Sequence, residues 1–394
     1  MKHLPRNLLI ATILSILIIS CEDQKVSVGS RGELASSELM LSLTSDEIQA
    51  GMDFFGLSGD FQFDYAVEAW KIVYETIGPN GEATIASAGL FIPISEQPQP
   101  MVSLQHGTVT SRNNVTSAGV YNAPEGIIAL LMAGTGLCTV VPDYLGLGES
   151  EILHTYLHAA STASAVIDAI RATRNFSSEN DIALDGSIFL TGYSEGGYAT
   201  LAAQREIEQY YSDEINLSAV APMAGPYDLA GTVDTIFSYQ NYSITLYPAF
   251  ILAAYDNVYD WDRLDDMLVA PYDTHILTLL NGSMSADEVQ QELPETLAGL
   301  IKSDFIDSYQ SGNEPEMRAA IAANTLLDWH PATPIRFYHG DADETVPYQN
   351  SVTAAANLQA LSTSTVELMT IAGGDHESAA ITCFIGAIDW ILSF

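Results

Sequence analysis

Gly192-Tyr193-Ser194-Glu195-Gly196-Gly197 decides the reading of this chain. Ahead of it runs Ser187-Ile188-Phe189-Leu190-Thr191, a short apolar stretch that suits a buried strand. Behind it runs Tyr198 to Tyr211, rich in Ala, Gln and Glu, which favours helix. A strand and a helix joined by Gly-x-Ser-x-Gly must turn sharply. Glycine suits flanks with no room for a Cβ, and the serine then sits in a strained backbone with its hydroxyl exposed. The Glu195 amide would lie at a helix N-terminus, where it can face developing negative charge. The same six residues would also make a plain Gly-Ser turn, so partners elsewhere in the chain must decide.

An activated serine needs a base to take its proton and an acid to orient that base. In open α/β folds both belong on loops leaving the C-terminal ends of strands. Two such loops follow. His339-Gly340-Asp341-Ala342-Asp343-Glu344-Thr345-Val346-Pro347 comes after the strand-like Ile335–His339. Gly373-Gly374-Asp375-His376 comes after the strand-like Val366–Ile371 and before a last helical run. This places Ser194, Asp343 and His376 in the chain order Ser, Asp, His. Asp341 and Asp375 read as loop carboxylates, with Asp341 the alternative acid. His339 and His106 read as loop-fixing hydrogen-bonders.

Outward from these loops the chain alternates strands and helices. Ala66–Thr76 and Thr84–Ile92 predict a hairpin across Gly78-Pro79-Asn80-Gly81. Met101–His106, Leu137–Pro142 and Leu217–Ala224 are further strands. Helical runs are Ala123–Ala133, Tyr156–Arg174 (with Leu157 on its apolar face), Val352–Leu361 and Ser378–Phe394. The expectation is an α/β protein of about eight strands, mostly parallel, with helices on both faces. Pro226 to about His330 breaks the alternation. At roughly 100 residues it is too long for a connection. It carries Tyr239, Tyr242, Tyr247, Phe250, Tyr255, Tyr259, Trp261 and Tyr272. It reads as an inserted helical cap, its aromatics either lining a pocket or forming its own core.

Here the chain resembles the serine esterases and lipases of the α/β-hydrolase superfamily, from about Val67 to Phe394. His-Gly-x-x-Asp-x-x-Val-Pro at 339–347 resembles their acid loop, which implies Asp343. Pro142-Asp143-Tyr144-Leu145-Gly146-Leu147-Gly148-Glu149-Ser150 resembles their Asp-x-x-Gly-x-Gly-x-Ser loop. Gln105-His106-Gly107-Thr108 resembles their oxyanion loop. Gly-Tyr-Ser-x-Gly-Gly with a long insert is similar to the secretory lipases. The resemblance implies a carboxylic ester hydrolase working through an acyl-enzyme. Ser194 would be the nucleophile, His376 the base and Asp343 its orienter. The backbone N–H groups of Glu195 and Thr108 would hold the oxyanion, with Tyr193, Tyr242, Tyr247 and Phe250 as pocket candidates. The substrate would be a small-molecule or lipid-like ester, with no cofactor. A prolyl-oligopeptidase-like serine peptidase is the alternative, and a non-catalytic surface binding protein a third reading.

Composition narrows the partners. The chain has 394 residues, with 50 Asp and Glu against 13 Lys and Arg, a net charge of −37. That argues against nucleic acid and against electrostatic docking on anionic lipid. No His-Glu-x-x-His or paired Cys/His spacing points to a metal. At the N-terminus, Lys2 and Arg6 precede an apolar run from Leu8 to Ile19. At about 12 residues it is shorter than the roughly 20 of a membrane span. Ile18-Ile19-Ser20-Cys21 resembles a bacterial lipobox. It implies a leader over 1–20, lipidation at Cys21, export and attachment to a bacterial membrane, with the outer membrane expected. Residues 22 to about 40 read as a flexible tether, and Thr44-Ser45-Asp46-Glu47 as a capping box. The organisation is then 1–20 leader, 21–60 tether and N-terminal segment, 61–225 with 331–394 hydrolase core, and 226–330 cap. Cys138 and Cys383 could pair or remain buried thiols.

Overall fold

The computed structural model describes residues 30–59, 61–239 and 242–394; the expected leader and Cys21 lie outside them. Nine strands form one sheet: β1 Leu34–Leu43, β2 Val67–Ile77, β3 Ala83–Pro93, β4 Gln99–Gln105, β5 Cys138–Pro142, β6 Leu184–Tyr193, β7 Leu217–Met223, β8 Ile335–Gly340 and β9 Val366–Ile371. Their order is β1-β2-β3-β5-β4-β6-β7-β8-β9. The first three pair antiparallel, and β3 meets β5 antiparallel. From β5 across to β9 every pairing is parallel. The loops leaving β4, β6, β8 and β9 therefore emerge along one edge.

Local sequence explains these elements. The β2–β3 hairpin closes where Gly78 N–H donates to Glu82 O at 2.7 Å, with Gly81 at φ 80°. β4 and β5 are buried almost throughout, as strands covered on both faces must be. Along β6 the faces alternate. Ile188 and Leu190 pack with Val166 and Ile170 of the helix Ala159–Glu179. Phe189 and Tyr193 pack on the other face, with Met132 of Pro124–Gly134 and Ile388 of Ala380–Ile391. Helices thus cover both faces. Thr44 and Glu47 form a reciprocal capping box ahead of the helix Ser45–Phe55.

Two expectations need correction. The stretch expected as a tether contains β1, paired along β2. β1 is an edge strand with mostly solvent-facing side chains, so Leu-Ala-Ser-Ser-Glu shows no apolar period. It brings the described strands to nine, where about eight were expected. Second, the helix expected from Tyr156 begins only at Ala159. Leu157 has φ 52° and stands outside it. Of the two states left open for Cys138 and Cys383, the structure has the buried thiols, unpaired and in clusters on opposite faces of the sheet. Burial pushes both thiols up to about 12.

Between β7 and β8 the chain forms eight helices among the described residues, from Leu229–Ser238 to Pro315–Ala323. Ser285 and Glu288 cap one of them reciprocally. The stretch has no separate core. Leu229, Phe250, Tyr255 and Ile321 share one buried cluster with Tyr198 and Leu201 of the helix Glu195–Glu206 and Phe337 of β8.

Candidate active site

β6 ends at Tyr193, and Ser194 makes the bend with φ 60° and ψ −122°. A non-glycine residue in such a region costs about 1–3 kcal/mol and persists only when its surroundings hold it. Here the Ser194 N–H donates to Met223 O at 2.9 Å, and Ser194 O accepts from Tyr198 N–H at 3.2 Å. The turn also fixes its glycines. A Cβ on Gly192 would lie 2.6 Å from both Gln105 O and Gly196 O, and one on Gly196 would strike the carbonyls of Gln105 and His106.

The loops after β8 and β9 bring two partners to this serine. His376 Nε2 lies 2.9 Å from Ser194 Oγ. His376 Nδ1 lies 2.6 Å from Asp343 Oδ2. Asp343 has a fully buried side chain, and three further groups hold it. His339 Nε2 is 3.1 Å from the same Oδ2, while the Thr345 and Val346 amides donate to Oδ1, both at 2.9 Å. Burial alone would raise this acid. The bonds from His339 and His376, the His376 charge and the Val346 amide outweigh it and hold the carboxylate down at about 2. Asp343 is therefore an anion at any ordinary pH, as an orienter of imidazole must be. Asp341 is exposed and accepts from Gly373 N–H at 2.6 Å instead. Asp375 accepts from the amides of Glu377 and Ser378.

Thr108 and Glu195 flank the same serine from two loops. A Cβ built on Gly107 would stand 3.9 Å from Ser194 Cβ, so the loop after β4 runs close to the nucleophile. Glu125 takes the Gly107 amide at 3.1 Å, and Tyr144 OH donates to His106 O at 3.0 Å. Among the described residues the backbone amides of Thr108 and Glu195 donate to no protein acceptor. The Glu195 carboxylate turns inward, to His154 Nε2 at 3.0 Å. Sequence reasoning gave Glu195 a backbone role only and read His154 as a structural histidine, without the pairing of the two. A buried carboxylate demands a partner, but that partner sits on a distant loop.

The pocket candidates divide. Tyr193 is not on the open side. It is 7% exposed among the core residues behind His376, and its hydroxyl donates to His376 O at 2.7 Å. Phe250 is fully buried in the core, stacks on Tyr156 at 4.5 Å and does not line the cavity that Tyr242 faces. Tyr242 does face one. With Tyr239, Ile244, Thr345 and Pro347 it lines a cavity of about 740 Å³ that reaches Asp343. Tyr247 is half-buried; burial first, then the carboxylates of Asp343, Glu195 and Glu377, push its phenol up. Tyr255 is wholly buried, and Tyr259 stacks on Trp261 at 5.3 Å. The aromatics thus divide, with Tyr239 and Tyr242 at this cavity and Phe250 and Tyr255 in a core shared with the sheet and its helices. No cluster of metal-ligating side chains occurs among the described residues.

Comparison with known proteins fixes what this arrangement belongs to. The family model of the secretory lipases matches residues 123–393. The chain belongs to the secretory lipase family. This span includes Ser194, Asp343 and His376. Among solved structures, the rice cell wall degrading esterase LipA of Xanthomonas oryzae is 30% identical, with a TM-score of 0.84 over 92% of this chain and 99% of that one. A Legionella pneumophila protein is 26% identical, with a TM-score of 0.84 over 91% and 97%. Candida antarctica lipase A in its closed state, at 18% identity and a TM-score of 0.68 over 92% and 82%, shares the fold. No curated protein matches. This secretory lipase relative is thus an α/β-hydrolase of the esterase or lipase kind. No helix among its described residues is long and apolar enough to cross a membrane.

Proposed function

We propose that the protein is an exported serine carboxylic ester hydrolase working through Ser194, His376 and Asp343. The observation that carries this reading is the unbroken row from Asp343 Oδ2 through His376 to Ser194 Oγ, with steps of 2.6 and 2.9 Å. His376 Nε2 takes the Ser194 proton as Oγ attacks the ester carbonyl. Asp343 holds the ring tautomer and balances the imidazolium charge. The amides of Glu195 and Thr108 receive the oxyanion. His376 then gives its proton to the leaving alcohol, and the acyl-enzyme remains. Water, activated by the same imidazole, releases the acid.

The reading includes an organisation. Residues 61–225 and 331–394 are the hydrolase core, 226–330 the cap, and 21–60 the N-terminal segment. The ester enters through the cavity lined by Tyr239 and Tyr242. Cys21 carries lipid and anchors the enzyme to a bacterial membrane, on the strength of Ile18-Ile19-Ser20-Cys21. Intact-mass measurement of membrane-extracted protein tests this, since a free N-terminus elsewhere would rule it out. The activity is tested with a chain-length series of p-nitrophenyl esters beside aminoacyl anilides. Ester turnover should dominate and fall about 10⁶-fold in kcat in Ser194→Ala. Preferred turnover of the anilides would replace the esterase reading by a peptidase.

A further inference from the structure

The two amides assigned to the oxyanion come from different loops, yet side chains two residues apart reach both. Glu195 is buried, and its carboxylate oxygen lies 3.0 Å from His154 Nε2. His154 Nδ1 lies 2.7 Å from Leu145 O. A carbonyl only accepts, so Nδ1 carries a hydrogen, and one shared proton joins Nε2 to Glu195. The other Glu195 oxygen has no partner among the described residues, so His154 is the anchor of this carboxylate. Tyr156 OH lies 3.0 Å from Thr108 Oγ1. Its ring stacks on Phe250 with planes 8° apart, and His154 packs edge-on to the same Phe250 at 5.4 Å.

The segment itself is pinned from two sides. Leu157 O accepts from Tyr255 OH at 3.0 Å and lies 2.9 Å from Tyr198 OH, whose one hydrogen it shares with Asn324 O at 2.8 Å. Tyr198 belongs to the helix that follows the nucleophile, and Tyr255 to Leu246–Val258 of the helical stretch. Leu157 keeps its positive φ in this grip. A segment without helix or strand is thus as buried as the core.

We propose that His154 and Tyr156 are positioning residues that set both halves of the oxyanion hole from one segment. The proposal rests on the serine hydrolase reading above. His154 holds Glu195, and with it the amide at the helix start. Tyr156 holds Thr108, and with it the amide on the loop after β4. Stabilisation of an oxyanion depends on donors aimed where charge develops, and a small displacement there is costly. The brace acts on the transition state and leaves ester binding alone.

The test measures kcat, KM and the inhibition constant of a trifluoromethyl ketone, whose adduct on serine carries an oxyanion. The variants are Tyr156→Phe, which keeps the ring stack, His154→Ala, Glu195→Ala and Glu195→Gln. Thermal melting checks that each is folded. Tyr156→Phe and His154→Ala should lower kcat by about ten- to a hundredfold, with KM within about twofold. The ketone should weaken by the same factor as kcat/KM. Glu195→Gln, which can still bond the ring, should lose less than Glu195→Ala. If His154→Ala does not fold, Tyr156→Phe and the Glu195 pair decide. Unchanged kcat in Tyr156→Phe, or equal losses in the two Glu195 variants, would overturn the brace while leaving an active wild type and the hydrolase reading intact. A wild type that turns over no ester and takes no fluorophosphonate at Ser194 would overturn both.

Discussion

The loops at the catalytic edge and the helical stretch between β7 and β8 are held by different forces. Around Asp343 the fixing is polar: four hydrogen bonds end on one buried carboxylate. In the helical stretch it is apolar, with Phe250, Ile276 and Val289 fully buried. Polar fixing is all-or-none, because removing one partner strands another without compensation. Apolar fixing is graded, since each side chain contributes in proportion to the surface it buries. Loss of a bond to the buried Asp343 carboxylate should therefore cost activity first and some stability with it, and substitutions in the helices should weaken the fold or retune the substrate.

The largest effect sharpens this contrast within one loop. Asp343→Asn should lower kcat by about 10⁴-fold, as loss of the orienting acid does elsewhere. Asp341→Asn, two residues away and with a side chain that accepts from the Gly373 amide, should change it by less than about tenfold. Steady-state kinetics on one ester suffices, and a greater loss at Asp341 would move the acid. Next comes Phe250→Ala, which should lower unfolding free energy by about 3–5 kcal/mol in a denaturant titration. A cost below about 1 kcal/mol would break the claim that apolar packing holds the helices.

A smaller effect concerns acid. Asp343 sits at about 2 in the folded protein, below the roughly 3.9 of an unfolded aspartate. A depressed carboxylate stabilises the fold above its unfolded value and loses that contribution as pH falls toward the folded one. Melting temperature should therefore fall between about pH 4 and pH 2 more steeply in the wild type than in Asp343→Asn. Parallel curves would show that the carboxylate is not held low. The smallest effect is at the cavity. One extra acyl CH₂ buried there contributes about 0.8 kcal/mol, or up to about fourfold in kcat/KM. Tyr242→Ala and Tyr239→Ala should flatten that climb across the ester series. An unchanged profile in both would place the acyl chain elsewhere.

Most of the fold was legible because the central strands carry dense apolar runs broken by glycine turns. Ser187–Thr191 and Val366–Ile371 announce themselves in this way. β1 did not, since an exposed edge strand needs no apolar period. At the site, Ser194, Asp343 and His376 could be chosen because each lies just past a strand, on a short loop with its own motif. The pocket was harder to read. An aromatic in a helical stretch looks the same whether it faces a cavity, as Tyr242 does, or the core, as Phe250 does. The His154–Tyr156 segment was hidden for a related reason. Leu157 fits an apolar helical face on paper, and only tertiary bonds from Tyr198 and Tyr255 hold it out of the helix.

The central claim is that Ser194 is a nucleophile activated by His376. Peptide mapping by mass spectrometry after treatment with a fluorophosphonate tests it most directly. The account predicts one adduct, on Ser194, accumulating in step with the loss of ester turnover and absent or strongly slowed in His376→Ala. An adduct on another residue, or ester turnover that survives full modification of Ser194, would contradict it.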